Sequence, residues 1–388
     1  MQEIIFNPEE CRFTSADAYS LLLLWEEGCF FQRLFNQQIQ FPESAPILAL
    51  ATIPYCALIE HDSIIFFQSK GGVNLPYEGE RINAIRNRHK SLDSRIDIVQ
   101  YTSEIDGLFS SLSAEFKNHK GLLGAFKNSI QPDIGIFYYK EMPIGANYSF
   151  ARYLENELDK KNGITSELMK GLGYQIGVSA SFLYSFAEKL FPGQADLSGL
   201  EFETRSNDLD IQELSGRIKK IGGGCYSLSV LHLCSELMFQ INTILALLDA
   251  KIITRRLWIK FMVVCIYHGC KSIGAFLGCV RNPNCEITIS DQLATELQNI
   301  FPRHMRKRIE KMKDLRNALV HYDFPEALLE NLPTDAHADY IPIEMIKRTL
   351  GMELEEFDSF LQCIALHASK SVSSILNFPC FDIIKEPK

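Results

Sequence analysis

Val230, Cys234, Leu237, Ile241, Ile244 and Leu248 recur at steps of three and four, which puts all six on one face of a helix. Three further segments read the same way. The run 254–280 is apolar and ends at Arg281-Asn282-Pro283-Asn284, where proline stops continuation and asparagine favours a turn. A third helix begins at Ser290 or Asp291, is interrupted at Pro302, and resumes from Arg303 to Tyr322 ahead of Pro325. Phe357, Leu361, Ile364, Ala368, Val372 and Ile375 mark a fourth stripe. Helices of this length, mostly joined by short connections and once by a long one at 324–349, are the ingredients of an antiparallel bundle. The expected fold class is mainly α, with a four-helix bundle over 220–388.

The first 150 residues are punctuated by Pro42, Pro46, Pro54, Pro76, Pro132 and Pro143 and by a loop at 71–80, which argues against long uninterrupted helices there. Helical pieces are expected at 16–35 and 105–116, and a run of Ile, Phe and Tyr at 134–140 allows a minor strand. Residues 148–191 read as helical with a turn at Asn162-Gly163, and 192–210 as a polar linker. Two units follow: a mostly helical region over 1–210, divisible near 150, and the bundle over 220–388. The Arg86-Asn87-Arg88-His89 run echoes a motif described below, but its spacing differs and it reads as coincidence.

With 46% hydrophobic and 22% charged residues, the 388-residue chain has ample material for a core and lacks the composition of a disordered one. A net charge of −9 and a pI near 5.6 exclude a molecule that is basic as a whole, so any polyanion site must be local. Eleven cysteines are scattered, odd in number, and not preceded by a secretory leader. They read as reduced thiols in a cytoplasmic setting. Cys265, Cys270, Cys279 and Cys285 lack the paired spacing that gathers four thiolates around zinc, and no metal or cofactor is expected. Lys260, His268 and Lys271 interrupt the apolar stretch 257–280, which fits a buried helix better than a membrane span.

Several familiar signals fail on context. Gly177-Val178-Ser179-Ala180-Ser181 lacks the last glycine of a nucleophile elbow, Gly269-Cys270-Lys271-Ser272 sits inside an apolar helix, and Gly222-Gly223-Gly224 reads as a joint. The informative segment is 303–323. From Arg303 to Arg316 seven Lys or Arg stand against Glu310 and Asp314, a net +5 inside an acidic chain and a local footprint for phosphate. Met305, Ile309, Met312, Leu315, Leu319 and Tyr322 form one apolar stripe, and Arg316 projects into it. A guanidinium there must snorkel, pair with an acid in the core, or face a second subunit or a ligand.

Arg316-Asn317-Ala318-Leu319-Val320-His321, late in the third helix of such a bundle, resembles the signature of the HEPN superfamily, in which an Arg, often followed by a polar residue, precedes a His by four to six positions. The resemblance covers roughly 220–388. It implies a metal-independent endoribonuclease working as a homodimer, with each protomer adding its Arg and His to one composite site, in the setting of a toxin or an anti-phage effector. On that reading His321 moves the proton, Arg316 clamps the phosphorane-like transition state, and Asn317 orients the histidine or a phosphate oxygen. Arg303, Arg306, Lys307, Arg308, Lys311 and Lys313 would track the RNA backbone. The first half would be a sensor or regulatory region, the place where a partner or trigger acts. The alternative is an inactive HEPN-like module that binds RNA or a nucleotide, or serves as a protein scaffold.

Overall fold

The protein is described here by a computed structural model that covers residues 5–6, 12–14, 17–71, 73–74, 79–90, 98–154, 166–190, 201–325 and 343–378. The architecture is mainly α, built of long packed helices. In chain order the elements are β1 (Ile5–Phe6), α1 (Ala18–Gln40), α2 (Ala45–Lys70), β2 (Val73–Asn74), α3 (Gly79–His89), α4 (Ile98–Phe116) and α5 (Leu122–Ile130). Then come β3 (Ile134–Tyr139), β4 (Met142–Ala146), α6 (Asn147–Leu154), α7 (Ser166–Leu190), β5 (Thr204–Leu209) and α8 (Ile211–Ile218). The C-terminal part holds α9 (Ser227–Asp249), α10 (Arg255–Val280), α11 (Asp291–Ile300), α12 (Arg303–Lys311), α13 (Lys313–His321), α14 (Ile343–Leu350) and α15 (Leu354–Leu376).

The expected stripes become α9, α10, α11 to α13, and α15, and two of these helices carry side-chain caps at their first turn. Thr254 and Ser290 accept the backbone N–H of Leu257 and Leu293, each satisfying one orphan donor of a first turn. Two details differ. The third segment breaks again at Met312, whose N–H reverts to Ile309 O at 2.9 Å, so α12 and α13 are separate helices. And α9 is buried on more than its stripe: Leu231, Leu233, Glu236, Met238 and Phe239 are buried along with five of the six stripe residues, all but Leu248, because α10, α15, α4 and β4 surround the helix. Its polar groups are used accordingly: Asn242 Nδ2 donates to Pro143 O at 2.8 Å and Thr243 Oγ1 to Ile144 O at 3.0 Å, which seats β4 on α9.

The prolines of the first half do not prevent long helices. Both α1 and α2 exceed twenty residues. Pro46 lies in the first turn of α2, where its missing N–H costs nothing, and Pro54 sits inside a helix that is buried almost all round, so packing outweighs a local penalty of about 3 kcal/mol. The strand expected at 134–140 is β3, the centre of an antiparallel sheet in the order β4-β3-β5. β5 lies in what reads as a polar linker. Its pattern Thr-Arg-Ser-Asn-Asp-Leu has no apolar alternation, and it is a strand because its backbone pairs with β3 from Ile134↔Leu209 to Tyr139↔Thr204 along the sheet edge. The turn at Asn162-Gly163 and the stretch 191–200 lie outside the described residues.

Among the described residues one apolar cluster runs from Tyr19 to Phe378, so α1, α2, α6 and α7 share a core with α9 and α10. Three helical runs, Ala45–Lys70, Ile211–Asp249 and Arg255–Val280, are long and apolar enough to cross a membrane, and each is largely covered by its neighbours. The thiols are not all reduced: Cys279 and Cys285 form a disulfide across the turn that follows α10, their Cα atoms 5.9 Å apart.

Glu60 lies inside α2 against α7, and its burial pushes the carboxyl up to about 8 despite hydrogen bonds from Ser179 and Gln175. A raised carboxyl pKa means that the folded state holds its proton more tightly than the unfolded chain. The benefit is full below pH 4.5 and is lost as the pH rises through 8. Glu60→Gln should remove this loss, so that at pH 9 the variant melts at least about 2 °C above wild type. A smaller gap at pH 9 than at pH 5 would contradict it.

Candidate functional site

The site is built at the C-terminal end of α13. This short helix buries Leu315, Ala318, Leu319 and Val320 against α10 and α2 and stops at Tyr322, whose backbone is left-handed with φ 55°. That conformation costs a non-glycine residue about 1–2 kcal/mol. Tyr322 is held in it from both ends: its hydroxyl donates to Glu27 Oε2 at 2.6 Å and its carbonyl accepts Ser20 Oγ at 2.7 Å. His321 therefore projects from a helix end that is tied to α1 through the next residue.

His321 meets Asp62 of α2, with Nδ1 3.0 Å from Oδ1. The two differ in exposure. The Asp62 side chain is 2% exposed and that of His321 47%. Arg86 of α3 grips the same carboxylate with both arms, Nε to Oδ2 at 2.7 Å and Nη2 to Oδ1 at 2.8 Å. Burial alone would raise the Asp62 pKa, but the His321 hydrogen bond and the Arg86 charge outweigh it and hold the carboxyl below its ordinary 3.8. Asp62 is therefore an acceptor only and His321 donates to it from Nδ1, which leaves Nε2 as the ring nitrogen that Asp62 does not engage, on a side chain 47% exposed.

Arg316 is turned the other way. Its side chain is on the buried face of α13, and the residue is 8% exposed. Nη2 donates to His268 Nε2 of α10 at 2.6 Å, Nη1 donates to Asn317 Oδ1 at 2.9 Å, and the guanidinium lies 5.9 Å from the Tyr267 ring centre. Among the described residues a histidine and an asparagine of the same chain receive it. Asn317 orients Arg316 rather than His321. Arg316 and His321 thus serve different walls, one α10 and the other α2.

The basic series divides in the same manner. Arg306 is half-buried and caps α11, with Nε on Phe301 O at 2.7 Å and Nη2 on Gln298 O at 3.3 Å. Arg303, Lys307, Arg308, Lys311 and Lys313 are exposed, and Arg308 lies over the Phe360 ring. Lys313, Asn317 and His321 fall at steps of four and share the outer face of α13, spanning about 12 Å. The groups that sequence reasoning missed are Asp62, Arg86 and His268. Arg86 left a signal in the run that reads as coincidence, and His268 left one as a polar interruption of the apolar stretch 257–280; Asp62 left none.

Two substitutions probe this geometry. Arg316→Ala removes the donors to His268 and Asn317 from a packed wall and should cost about 1–3 kcal/mol in urea unfolding; a change within error would mean that the inward pose is wrong. Asp62→Asn leaves Arg86 buried without its anion and should cost about 3 kcal/mol or more at pH 7. A lowered carboxylate pKa supplies stability that is full above 3.8 and is lost as the pH falls through the folded value, so the gap between variant and wild type should narrow below about pH 4.

Comparison of the chain with protein-family models, with curated proteins and with solved structures finds no match in any of the three.

Proposed function

We propose that the protein is a metal-independent endoribonuclease of the HEPN type, with His321 as its proton-transfer group. The observation that carries this reading is the His321–Asp62 pair: a half-exposed imidazole whose inner nitrogen is fixed by a buried carboxylate, at the end of a helix whose outer face leads back through Asn317 to Lys313. RNA supplies its own nucleophile. A ribose 2′-OH placed at Nε2 can lose its proton there, or a leaving 5′-oxygen can gain one, and a cyclic phosphate and a 5′-hydroxyl result. Lys313, Lys311, Lys307 and Arg303 offer the cations that a polyanion needs, on a chain otherwise acidic. Arg316, engaged with His268, serves in this reading to lock α13 onto α10 and does not grip the phosphate itself. The reading requires no second protomer to explain the burial of Arg316.

The inward pose of Arg316 also favours a second reading, an inactive helical module in which the same residue is purely structural. Incubation of the full chain with total RNA in EDTA separates the two. Wild type should release fragments with cyclic phosphate and 5′-hydroxyl ends, and His321→Ala should lower the rate by about 10²- to 10⁴-fold. Lys311→Ala with Lys313→Ala should weaken RNA binding and reduce its salt dependence. Cleavage that persists unchanged in His321→Ala, or fragments with 5′-phosphate ends, would sink the endoribonuclease reading, and binding without cleavage would leave the module.

A further inference from the structure

We propose that the outer face of α5 docks on an anionic membrane surface, with Leu123, Phe126 and Ile130 entering the layer between headgroups and acyl chains while Lys120 and Lys127 meet lipid phosphates. Leu123, Phe126 and Ile130 follow one another at steps of three and four, which sets them on one side of a nine-residue helix. They are 74%, 65% and 64% exposed, and none belongs to the apolar cluster that forms the core. With Phe116 at the end of α4, the stretch 116–130 holds four of the eight large apolar side chains that are exposed among the described residues. Single exposed apolar residues are ordinary on a protein surface; a stripe of them is not.

Polar contacts fix α5 in this pose. The His119 N–H donates to Asn128 Oδ1 and Asn128 Nδ2 donates back to His119 O, both at 3.0 Å, so the segment before the helix is tied to its last turn. His119 Nε2 lies 2.9 Å from Gln131 Oε1, just past the helix end. Gly124 is buried in this closure, where a Cβ would come within 2.5 Å of His119 O. The helix is thus held by its own polar groups, and its apolar stripe is left for something else to cover.

Charge and area decide what that is. Residues 116–131 contain no Asp or Glu and three lysines, in a chain of net −9. Lys117 is committed to Asp133 and Asp210, at 3.1 and 2.7 Å. Lys120 and Lys127 are exposed and, among the described residues, meet no acid. Lys127 stands one turn beyond Leu123 and borders the stripe, and Lys120 precedes the helix, so the occupant must be apolar within and anionic around. A second copy of the chain fails on charge, because a two-fold contact would set lysine against lysine. A stable protein interface also buries roughly 800 Å² per partner, far more than three side chains of one short helix supply. A bilayer needs no matching surface. Its interfacial layer receives Leu, Ile and Phe, and its anionic headgroups draw Lys.

The test mixes the full chain with sedimentable vesicles of phosphatidylcholine alone, or of phosphatidylcholine with an equal part of phosphatidylglycerol. Wild type should pellet with the anionic vesicles and stay in solution with the neutral ones, and added salt should release it. Leu123→Ser with Phe126→Ser should lower the partition coefficient at least about tenfold, and Lys120→Gln with Lys127→Gln should lower it by about tenfold. All four positions are exposed, so melting of these variants should match wild type. Phe126→Trp should shift its emission to the blue on the anionic vesicles, as the ring leaves water. Wild type that stays in solution with both vesicle types, or pellets equally with both, would overturn the proposal, as would unchanged pelleting of the Leu123→Ser, Phe126→Ser variant. A wild-type dimer in sedimentation velocity that this variant dissociates would give the face to a second copy instead.

Discussion

Lys260 and Glu27 form an ion pair in the interior, both side chains 0% exposed, and the placement of the site depends on it. Taking two charges out of water costs more than their attraction alone returns unless further hydrogen bonds are made, and here the Tyr322 hydroxyl supplies one to Glu27. Burial pushes the Glu27 carboxyl upward, while the Lys260 ammonium and the Tyr322 hydroxyl oppose it. The ammonium also lies 4.5 Å from the centre of the Tyr322 ring. Three elements are tied by these contacts: α1 through Glu27, α10 through Lys260, and the end of α13 through Tyr322. Gly28 beside Glu27 lets α1 approach α7 closely, since a Cβ there would fall 2.6 Å from Leu183 O. Removing Glu27 takes the acceptor from both the Lys260 ammonium and the Tyr322 hydroxyl, and removing Lys260 leaves the Glu27 carboxylate without its counter-charge.

The site joins the two halves of the chain through a single carboxylate. Asp62 Oδ1 accepts from both Arg86 Nη2 and His321 Nδ1, while Oδ2 accepts from Arg86 Nε. His321 is thus positioned by α2 and, one step removed, by α3. The resemblance to the HEPN superfamily, confined to roughly 220–388, offers Asn317 as the orienter of the histidine or of a phosphate oxygen, whereas Asn317 Oδ1 accepts from Arg316 and the partner of His321 Nδ1 is Asp62. Asp62 lies in the first half of the chain, so the imidazole is positioned by helices outside the segment that carries the resemblance.

The legible parts of the fold were those with local causes. Thr254 and Ser290 mark helix starts by capping chemistry, Pro302 marks a break ahead of α12, and Phe357 to Ile375 marks α15 by period, so each could be placed from a few adjacent residues. The illegible parts have distant causes. Asp62 and His321 are 259 positions apart, and no periodicity announces a contact of that kind. β5 is a strand because of its partner and not its pattern, and Pro54 is tolerated because of what surrounds α2. Arg316 lies between the two cases. Its entry into an apolar stripe was readable from helical arithmetic, but the identity of what receives it, His268 on another helix, was not.

These distant causes also decide what the C-terminal bundle is without the rest of the chain. Asn242 and Thr243 on α9 donate to backbone carbonyls of β4, Tyr148 of α6 donates to Ser235 Oγ at 2.6 Å, and Lys260 meets its anion on α1. A fragment beginning near residue 220 would bare these polar groups along with the apolar residues of α9 and α10 that β4, α4 and α1 cover. Each exposed group could return to water at little cost, but a buried Lys260 deprived of Glu27 could not without loosening the wall that also receives Arg316. The four C-terminal stripes therefore describe a bundle by pattern, whereas its stability and its histidine site both draw on the helices that precede it.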